Sequence, residues 1–254
     1  MAIDEAIARE QLVAGELPTL RFYGWNPASF SLGYFQDASK VLDIPRCAKE
    51  KTHFVRRFTG GEVIFHDQEL TYSLSFPRPA ASSFNSVKDS FKINSSFILE
   101  TYRKLGLDAG FTSQGSAGGS GALCFESCEE YDIMVRGKKL GGSSQRRIKN
   151  IIFQHGSIPF KIDFNKFKPF LNHDIVVLED KVISLEEALG RQISFKDLGT
   201  LLKESFKEVF GVELIERDLN FKELESADRL RKEKYQNPRW NVLRKYPKET
   251  VLVK

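Results

Sequence analysis

The hydrophobic positions along the chain change period several times, and each change predicts a different element. The opening segment DEAIARE carries apolar residues near helical spacing and predicts an amphipathic helix that ends around Gly15. The stretch SVKDSFKINSSFILETYRKLGL predicts a longer helix with Gly106 at its end. Two later helices are predicted for ISLEEALG and ISFKDLGTLLKESFKEVFGV. Ser194 is the expected N-cap of the second, with Asp197 three positions later.

Strand patterns occupy much of the remaining chain. TLRFYGW and SFSLGYF are short, aromatic-rich and divided by Asn26-Pro27, which is typical of two extended segments joined by a tight turn. THFVRRF and EVIFHDQELTYSLSF predict strands on either side of Thr59-Gly60-Gly61. EYDIMVRGKKLGGSSQRR predicts a hairpin with its turn at Gly137, and IIFQHGSIPFKI continues the sheet.

The order of these elements predicts an α+β fold in one domain over residues 1–254. The sequence contains no internal repeat and no linker. The charged tail over residues 226–254 is expected to be a loop around NPRWNVLRKYP that packs through Trp240.

The composition of the chain limits the classes of protein to which it can belong. Hydrophobic residues make up 41% and charged residues 28%, as in an ordinary globular protein. No apolar run reaches the roughly 18 residues of a membrane span, and the first residues lack the pattern of a secretory signal. We therefore expect a cytoplasmic protein with no membrane partner. Lysine and arginine exceed the acids by 38 to 34, which suits an acidic partner but is far below a nucleic-acid-binding arm.

The segment RRFTGGEVIFHD combines arginines with a Gly-Gly turn. Glycines allow a backbone to approach a ligand closely, and exposed amides near an arginine suit a carboxyl, phosphate or pantetheine group. The alternative interpretation is an ordinary hairpin turn, because Gly-Gly between strands is a common hairpin signal.

Cys124 is the candidate for covalent chemistry, since a thiolate that attacks an acyl carbonyl forms a thioester. A free cysteine has a pKa of roughly 8.5, so a nearby cation must favour its ionised form. Lys139 follows across the predicted hairpin, and strand alternation puts Lys138 on the opposite face. The alternative is a buried structural thiol. Cys128, four residues later, completes no set of four metal ligands, so no metal is expected.

Three other features complete the set of candidates. The segment TSQGSAGGSGAL, which leads to Cys124, is predicted to be a mobile loop. His155 lies within a predicted strand and is more simply a satisfied core group than an acid or base. His66 is interpreted in the same way, although its position after the Gly-Gly turn keeps a functional role open.

Four stretches, RFYGWNPASFSLGYFQ, FVRRFTGGEVIFHDQELTYS, CFESCEEYDIMVRGKKLGGSSQRR and FQHGSI, resemble the LipM-type octanoyltransferases of the biotin/lipoate protein ligase superfamily. The similar region covers about residues 1–160, with the motifs in the family's order, and continues faintly around KYQNPRWN. The resemblance implies a mixed β-sheet flanked by helices, related to the cores of class II aminoacyl-tRNA synthetases, with the acyl chain in a tunnel.

The resemblance also implies a reaction and its residues. Octanoyl would pass from acyl carrier protein to a lysine of a lipoyl domain, such as the glycine cleavage H protein, without a cofactor. Cys124 would be the thioester nucleophile, and Lys139 would lower its pKa and position the acyl carbonyl. The substrate-cradling loop of the family corresponds here to Arg57, Gly60, Gly61 and His66. Cys128 falls where the family requires no cysteine.

Three rival activities stay open on the sequence. An amidotransferase of the same superfamily would move octanoyl between lipoyl domains by the same cysteine chemistry. An ATP-dependent lipoate ligase would need no thioester; such ligases usually carry a third glycine where this chain has Glu62, whose charge should repel phosphate. A noncatalytic carrier-binding subunit is the third class, and Cys124 together with Lys139 argues against it.

Overall fold

The computed structural model describes residues 1–14, 17–77, 86–112, 131–172 and 179–246. In chain order the elements are α1 (Ala2–Ala14), β1 (Thr19–Tyr23), β2 (Ser29–Leu32), α2 (Ala38–Val41), α3 (Ile44–Lys49), β3 (His53–Arg56), β4 (Ile64–His66), β5 (Glu69–Pro77), α4 (Val87–Lys104), β6 (Ala109–Phe111), β7 (Ile133–Val135), β8 (Lys138–Lys139), β9 (Gly142–Ile148), β10 (Ile151–Pro159), α5 (Phe164–Phe167), α6 (Leu185–Leu189), α7 (Phe195–Phe210), α8 (Phe221–Leu230) and α9 (Pro238–Asn241). A 3-10 turn covers Lys168–Phe170, and a π-helical turn covers Arg231–Tyr235.

The strands of these described ranges form three sheets. The largest is antiparallel with the order β1-β5-β10-β9. In the second, β2 lies between β3, which runs parallel to it, and β4, which runs antiparallel. The third is the antiparallel set β6-β7-β8. Helices surround these sheets, so the expected α+β class with mixed strand directions is confirmed.

Helices cover both faces of the large sheet. On one side Leu70 and Leu74 of β5 belong to a buried cluster with Phe97 of α4 and Leu202 of α7. On the other side Phe153 of β10 is buried with residues of α1, α8 and the chain that follows. The predicted helices α1, α4, α6 and α7 are confirmed, and the Ser194 side chain caps α7 by accepting from the Asp197 amide at 3.0 Å. Within the described ranges, no helix is long and apolar enough to cross a membrane.

The hairpin interpretation of Thr59-Gly60-Gly61 is wrong. β3 and β4 do not pair with each other, because β2 lies between them. Parallel β2 and β3 end on the same side of the sheet, and antiparallel β4 must start there. Residues 57–63 therefore cross the end of β2, and we call them the crossing segment. Similarly, β1 and β2 are extended as predicted but belong to different sheets, with a cis peptide bond between Asn26 and Pro27.

Within the described part of the tail, residues 226–246, Trp240 packs as predicted, although most of these residues are helical rather than a loop. Trp240 is buried and its indole N–H donates to the Arg56 carbonyl at 2.9 Å. α8 begins at Phe221, before the expected tail, because Asn220 and Glu223 form a reciprocal capping box.

The Arg56 side chain joins the tail to the body of the fold. Its fully buried guanidinium donates to the carbonyls of Gly33 at 2.9 Å, Tyr34 at 3.0 Å and Gln36 at 2.6 Å, and to those of Trp240 and Val242, each at 3.2 Å. It forms no ion pair with a carboxylate of the described residues. Burial lowers the pKa of Arg56, and nearby Arg244 lowers it further. Backbone carbonyls therefore solvate this charge, and only a forked, fixed guanidinium reaches all of them.

Substitution of Arg56 by lysine is expected to lower the free energy of unfolding by about 2–4 kcal/mol, because one ammonium leaves several buried carbonyls without donors. Chemical denaturation measures the change. Arg46→Lys, at a side chain 43% exposed, is the matched control and should change the value by less than about 0.5 kcal/mol. An equal, small effect of both substitutions would contradict this account of Arg56.

Candidate active site

Arg57 organises the crossing segment from inside. Its guanidinium is buried and donates to the carbonyls of Ser31 at 2.8 Å, Gly60 at 3.0 Å and Glu62 at 2.8 Å. It also donates to the Ser31 hydroxyl at 2.7 Å. The arginine predicted to cradle substrate therefore binds the backbone of its own loop and fixes the loop's shape.

The Gly60-Gly61 turn is held from two further directions. A Cβ atom at Gly33 would lie 1.6 Å from the Gly61 carbonyl oxygen, so the end of β2 and the turn touch backbone to backbone. Ser144 of β9 donates from its hydroxyl to the Gly60 carbonyl at 3.0 Å. Gly61 has a φ of +82°, which favours glycine. The Gly60-Gly61 turn is thus held in a fixed shape between β2 and β9, with no side chain at either glycine.

His66 meets Arg57 through Ser31. The Ser31 hydroxyl, which accepts from Arg57, lies 2.5 Å from His66 Nε2. His66 Nδ1 lies 2.7 Å from the Glu69 carboxylate, and the imidazole stacks on Trp25 with ring centroids 4.1 Å apart. Both ring nitrogens therefore have partners inside the protein, as expected of a satisfied core histidine. Ser31 itself carries no sequence signal that marks it as the link.

Glu69 anchors the other end of this network. Burial opposes its ionisation, but His66 and the hydroxyls of Ser157 and Thr71 hold the pKa of Glu69 below its usual value. A cavity of about 40 Å³ adjoins the carboxylate and is lined by Phe30, Val63, Phe65 and Phe167 among others. Its size suits one or two water molecules rather than an eight-carbon chain.

Lys139 lies in a second, separate arrangement. Its ammonium is buried and lies 2.8 Å from the carboxylate of Asp132, which is also buried. The predicted hairpin positions it: Arg136 and Gly137 both have positive φ, as a two-residue turn between twisted strands requires. Lys138 is only half-buried, which confirms that the two lysines point to opposite faces. The Lys139 amide also donates to the Lys181 carbonyl at 2.8 Å.

The segment that contains β8 and β9 connects the network around Arg57 and His66 to the pair of Lys139 and Asp132. Arg57, Gly60, Gly61 and His66 are joined through Ser31 and Ser144, whereas Lys139 lies five residues before Ser144 and pairs with Asp132. Five residues span at most about 18 Å. Cys124, Cys128 and the predicted mobile segment lie outside the described residues. Cys47 is a buried core thiol whose pKa burial raises, so its surroundings disfavour a nucleophile.

A polar cluster beneath β9 has no counterpart among the residues predicted for the site. The Tyr72 hydroxyl lies 2.8 Å from the Ser143 hydroxyl, and Gln154 donates to Tyr72 at 3.0 Å. Gly156 opposes Tyr72, where a Cβ would lie 2.5 Å from the ring and 2.6 Å from the Gly142 carbonyl. The glycine inside the strand motif FQHGSI is the one sequence signal of this close packing.

His155 is a satisfied core group, as expected. It is buried, and its Nε2 lies 2.7 Å from the Thr59 hydroxyl, which ties β10 to the crossing segment. Burial, and then the charge of Arg57, lower its pKa from 6.5 to about 3. Among the residues with described positions, no group of three His, Cys, Asp or Glu side chains is arranged to hold a metal ion.

The fold and these motifs define a class of acyl-group ligases and transferases. Residues 1–207 match the family model described as the lipoyl protein ligase A/B catalytic domain, and the chain belongs to this family. Two curated relatives are named octanoyltransferase LipM. The one from Anoxybacillus flavithermus is 35% identical, and the one from Bacillus subtilis is 33% identical. Each alignment covers 96% of this chain and 93% of the relative.

Solved structures agree on the fold. A lipoate-protein ligase A bound with ATP superposes with a TM-score of 0.79 at 25% identity, covering 95% of this chain and 92% of the other. The bipartite lipoate protein ligase of Thermoplasma acidophilum, studied with its E2 lipoyl domain, gives 0.80 at 24% identity over 98% and 92% of the two chains. The mixed sheets with flanking helices are therefore those of lipoate-protein ligases.

Stability between pH 5 and 7 is expected to report on His155. The folded-state pKa lies below that of the unfolded chain, so its contribution is complete above about pH 6.5 and is lost as the pH falls, by about 1.4 kcal/mol per unit. His155→Gln should flatten the dependence of the unfolding free energy over this range. His53→Gln, at an exposed position, is the control and should keep it. An unchanged slope in His155→Gln would contradict a buried, neutral imidazole.

Proposed function

We propose that this chain is an acyltransferase of lipoate biosynthesis, which moves octanoyl from acyl carrier protein to a lysine of a lipoyl domain through a thioester on Cys124. Membership of the lipoyl protein ligase A/B family and full-length similarity to proteins named octanoyltransferase support octanoyl transfer. We further propose that residues 1–254 act as one catalytic domain, without a cofactor, in the cytoplasm where carrier and acceptor meet.

The observation that carries the proposal is the buried Lys139 ammonium. It is 3% exposed and lies on the hairpin that directly follows the segment containing Cys124. The ammonium lies 2.8 Å from the carboxylate of Asp132, which is also buried. In low-dielectric surroundings such a cation strongly favours a thiolate close to it. Asp132 would orient the Lys139 ammonium.

The reaction we propose has two half-reactions. The Cys124 thiolate attacks the carbonyl carbon of the octanoyl thioester, and the pantetheine sulfur leaves and takes up a proton. The neutral amine of the acceptor lysine then attacks the Cys124 thioester, loses a proton and forms the amide while the cysteine sulfur leaves. Gly60 and Gly61 would present backbone to the donor, and Arg57 and His66 would hold that surface in shape through Ser31.

The three rival activities differ from the proposed one in the substrates that they would use. An amidotransferase would use the same cysteine but prefer an octanoylated lipoyl domain to the carrier as donor. An ATP-dependent ligase is kept open by the similarity to a lipoate-protein ligase A bound with ATP. It would release pyrophosphate from ATP with free octanoate or lipoate, and it would not need Cys124. A noncatalytic subunit would bind the carrier without accepting octanoyl.

Incubation with octanoyl carrier protein is expected to add one octanoyl group to the chain, as measured by intact mass. Cys124→Ala should abolish the adduct, whereas the matched control Cys128→Ala should keep it. Octanoylated lipoyl domain is tested as donor in parallel. No adduct from either donor, or an adduct that survives Cys124→Ala, would refute the proposal.

Removal of the Lys139 charge is expected to slow adduct formation at pH 7 by about 10- to 30-fold, because a cysteine whose pKa returns toward roughly 8.5 is only about 3% ionised at that pH. In Lys139→Met the rate should therefore rise more steeply between pH 7 and 9 than in the native chain. Lys138→Met is the neighbouring control. Equal pH profiles for native chain and Lys139→Met would rule out thiol activation by Lys139.

A further inference from the structure

The turn after β2 carries an aromatic ring where solvent surrounds most of it. Phe35 is 76% exposed, although it lies two residues from Gly33, whose backbone touches the Gly61 carbonyl. Its neighbour Tyr34 is anchored, because its amide donates to the Thr59 carbonyl at 2.8 Å and its ring lies 5.8 Å from that of Trp240. A fixed turn therefore presents Phe35 beside the crossing segment.

Two arginines from distant parts of the chain converge on these rings. The Arg244 guanidinium lies 5.4 Å from the centre of the Tyr34 ring and 5.8 Å from that of Phe35. The Arg146 guanidinium lies 5.1 Å from the Tyr34 ring and also donates to the Phe58 carbonyl. We call Tyr34, Phe35, Arg146 and Arg244 the arginine–aromatic patch. Exposed arginines and aromatic rings are the residue types most enriched at protein interfaces.

The positive charge of the patch is not neutralised by the described residues. Arg146 and Arg244 form no ion pair there, nor do the exposed Arg239 and Lys245, which are joined by a backbone hydrogen bond of 2.8 Å. The one carboxylate on the same turn, Asp37, accepts from the Ser39 amide and hydroxyl and caps α2. A partner with a negative surface is therefore favoured.

Arg244 is held in place by an unusual backbone conformation. Its φ is +56°, in the left-handed region where glycine or asparagine is favoured over arginine. Its amide donates to the Trp240 carbonyl at 3.0 Å, which fixes the turn after α9. Residues kept in strained conformations are concentrated at ligand clamps. This turn fixes the position from which the Arg244 side chain extends over the rings of Tyr34 and Phe35.

From these contacts we infer that the arginine–aromatic patch is the docking surface for the acidic acyl carrier protein that donates octanoyl. The inference rests on the proposed function and adds the place where the donor binds. The patch adjoins Gly60 and Gly61, because Phe58 and Thr59 link it directly to them. Arg146 lies seven residues along the chain from Lys139, so the two Cα atoms are at most about 25 Å apart.

The test compares two donors, octanoyl carrier protein and octanoyl-pantetheine, which lacks the protein. Arg244→Glu should lower kcat/KM for the carrier at least tenfold relative to kcat/KM for octanoyl-pantetheine, mainly through KM. Phe35→Ala should lower this ratio about fivefold. Added salt should weaken carrier use by the native chain and have less effect on Arg244→Glu.

Arg244→Gly separates docking from folding. Glycine relieves the backbone conformation, so the melting temperature should stay equal or rise, while KM for the carrier still increases. The matched surface controls are Arg191→Glu and Phe221→Ala, both at exposed positions outside the patch. In both controls, the ratio of kcat/KM for octanoyl carrier protein to kcat/KM for octanoyl-pantetheine should equal that of the native chain.

Direct binding distinguishes failure of the inference from failure of the proposed function. Titration with unacylated carrier protein measures docking even if no octanoyl adduct forms, and Arg244→Glu should weaken that binding at least tenfold. Native affinity in both Arg244→Glu and Phe35→Ala would overturn the inference. So would an equal loss with both donors, or a loss confined to the KM of the lipoyl-domain acceptor.

Discussion

Two consecutive buried guanidinium groups set the geometry on which the rest of this structure depends. Arg56 is the last residue of β3 and Arg57 follows it, and the two side chains bind different parts of the backbone. The Arg56 guanidinium donates hydrogen bonds to carbonyls of the turn after β2 and of the tail, and the Arg57 guanidinium donates to carbonyls of the crossing segment. A buried cation is very costly unless its donors are satisfied, so each group imposes one arrangement on the backbone around it.

This constraint explains why the crossing segment has a defined shape although two adjacent glycines lie at its centre. The Ser31 hydroxyl couples Arg57 to His66, and Glu69 holds the other side of the imidazole. The contact of Gly33 with Gly61 leaves no room for a side chain. Arg57 and His66 therefore hold the backbone around Gly60 and Gly61 in place, and the buried pair of Lys139 and Asp132 forms a separate arrangement.

The tail contacts both the buried Arg56 side chain and the exposed turn after β2. The family model matches residues 1–207, yet the carbonyls of Trp240 and Val242 complete the shell of Arg56. The same short segment carries Arg244 over Tyr34 and Phe35. One segment of chain thus stabilises the turn next to Gly60 and Gly61 and contributes Arg244 to the surface beside it.

The sequence by itself determined the helices α1, α4, α6 and α7 and the extended segments, because these follow from local periodicity. Turn chemistry and strand alternation determined the turn at Gly137 and the opposite orientations of Lys138 and Lys139, and the order of the motifs determined the family. Only the tertiary structure decided that the Gly-Gly segment crosses the end of β2 instead of closing a hairpin. It also decided that Arg57 binds its own loop, that Ser31 joins Arg57 to His66, and that most of residues 226–246 are helical. These features depend on strand order and on contacts between residues distant in sequence, such as Arg56 with Trp240, which no local pattern encodes.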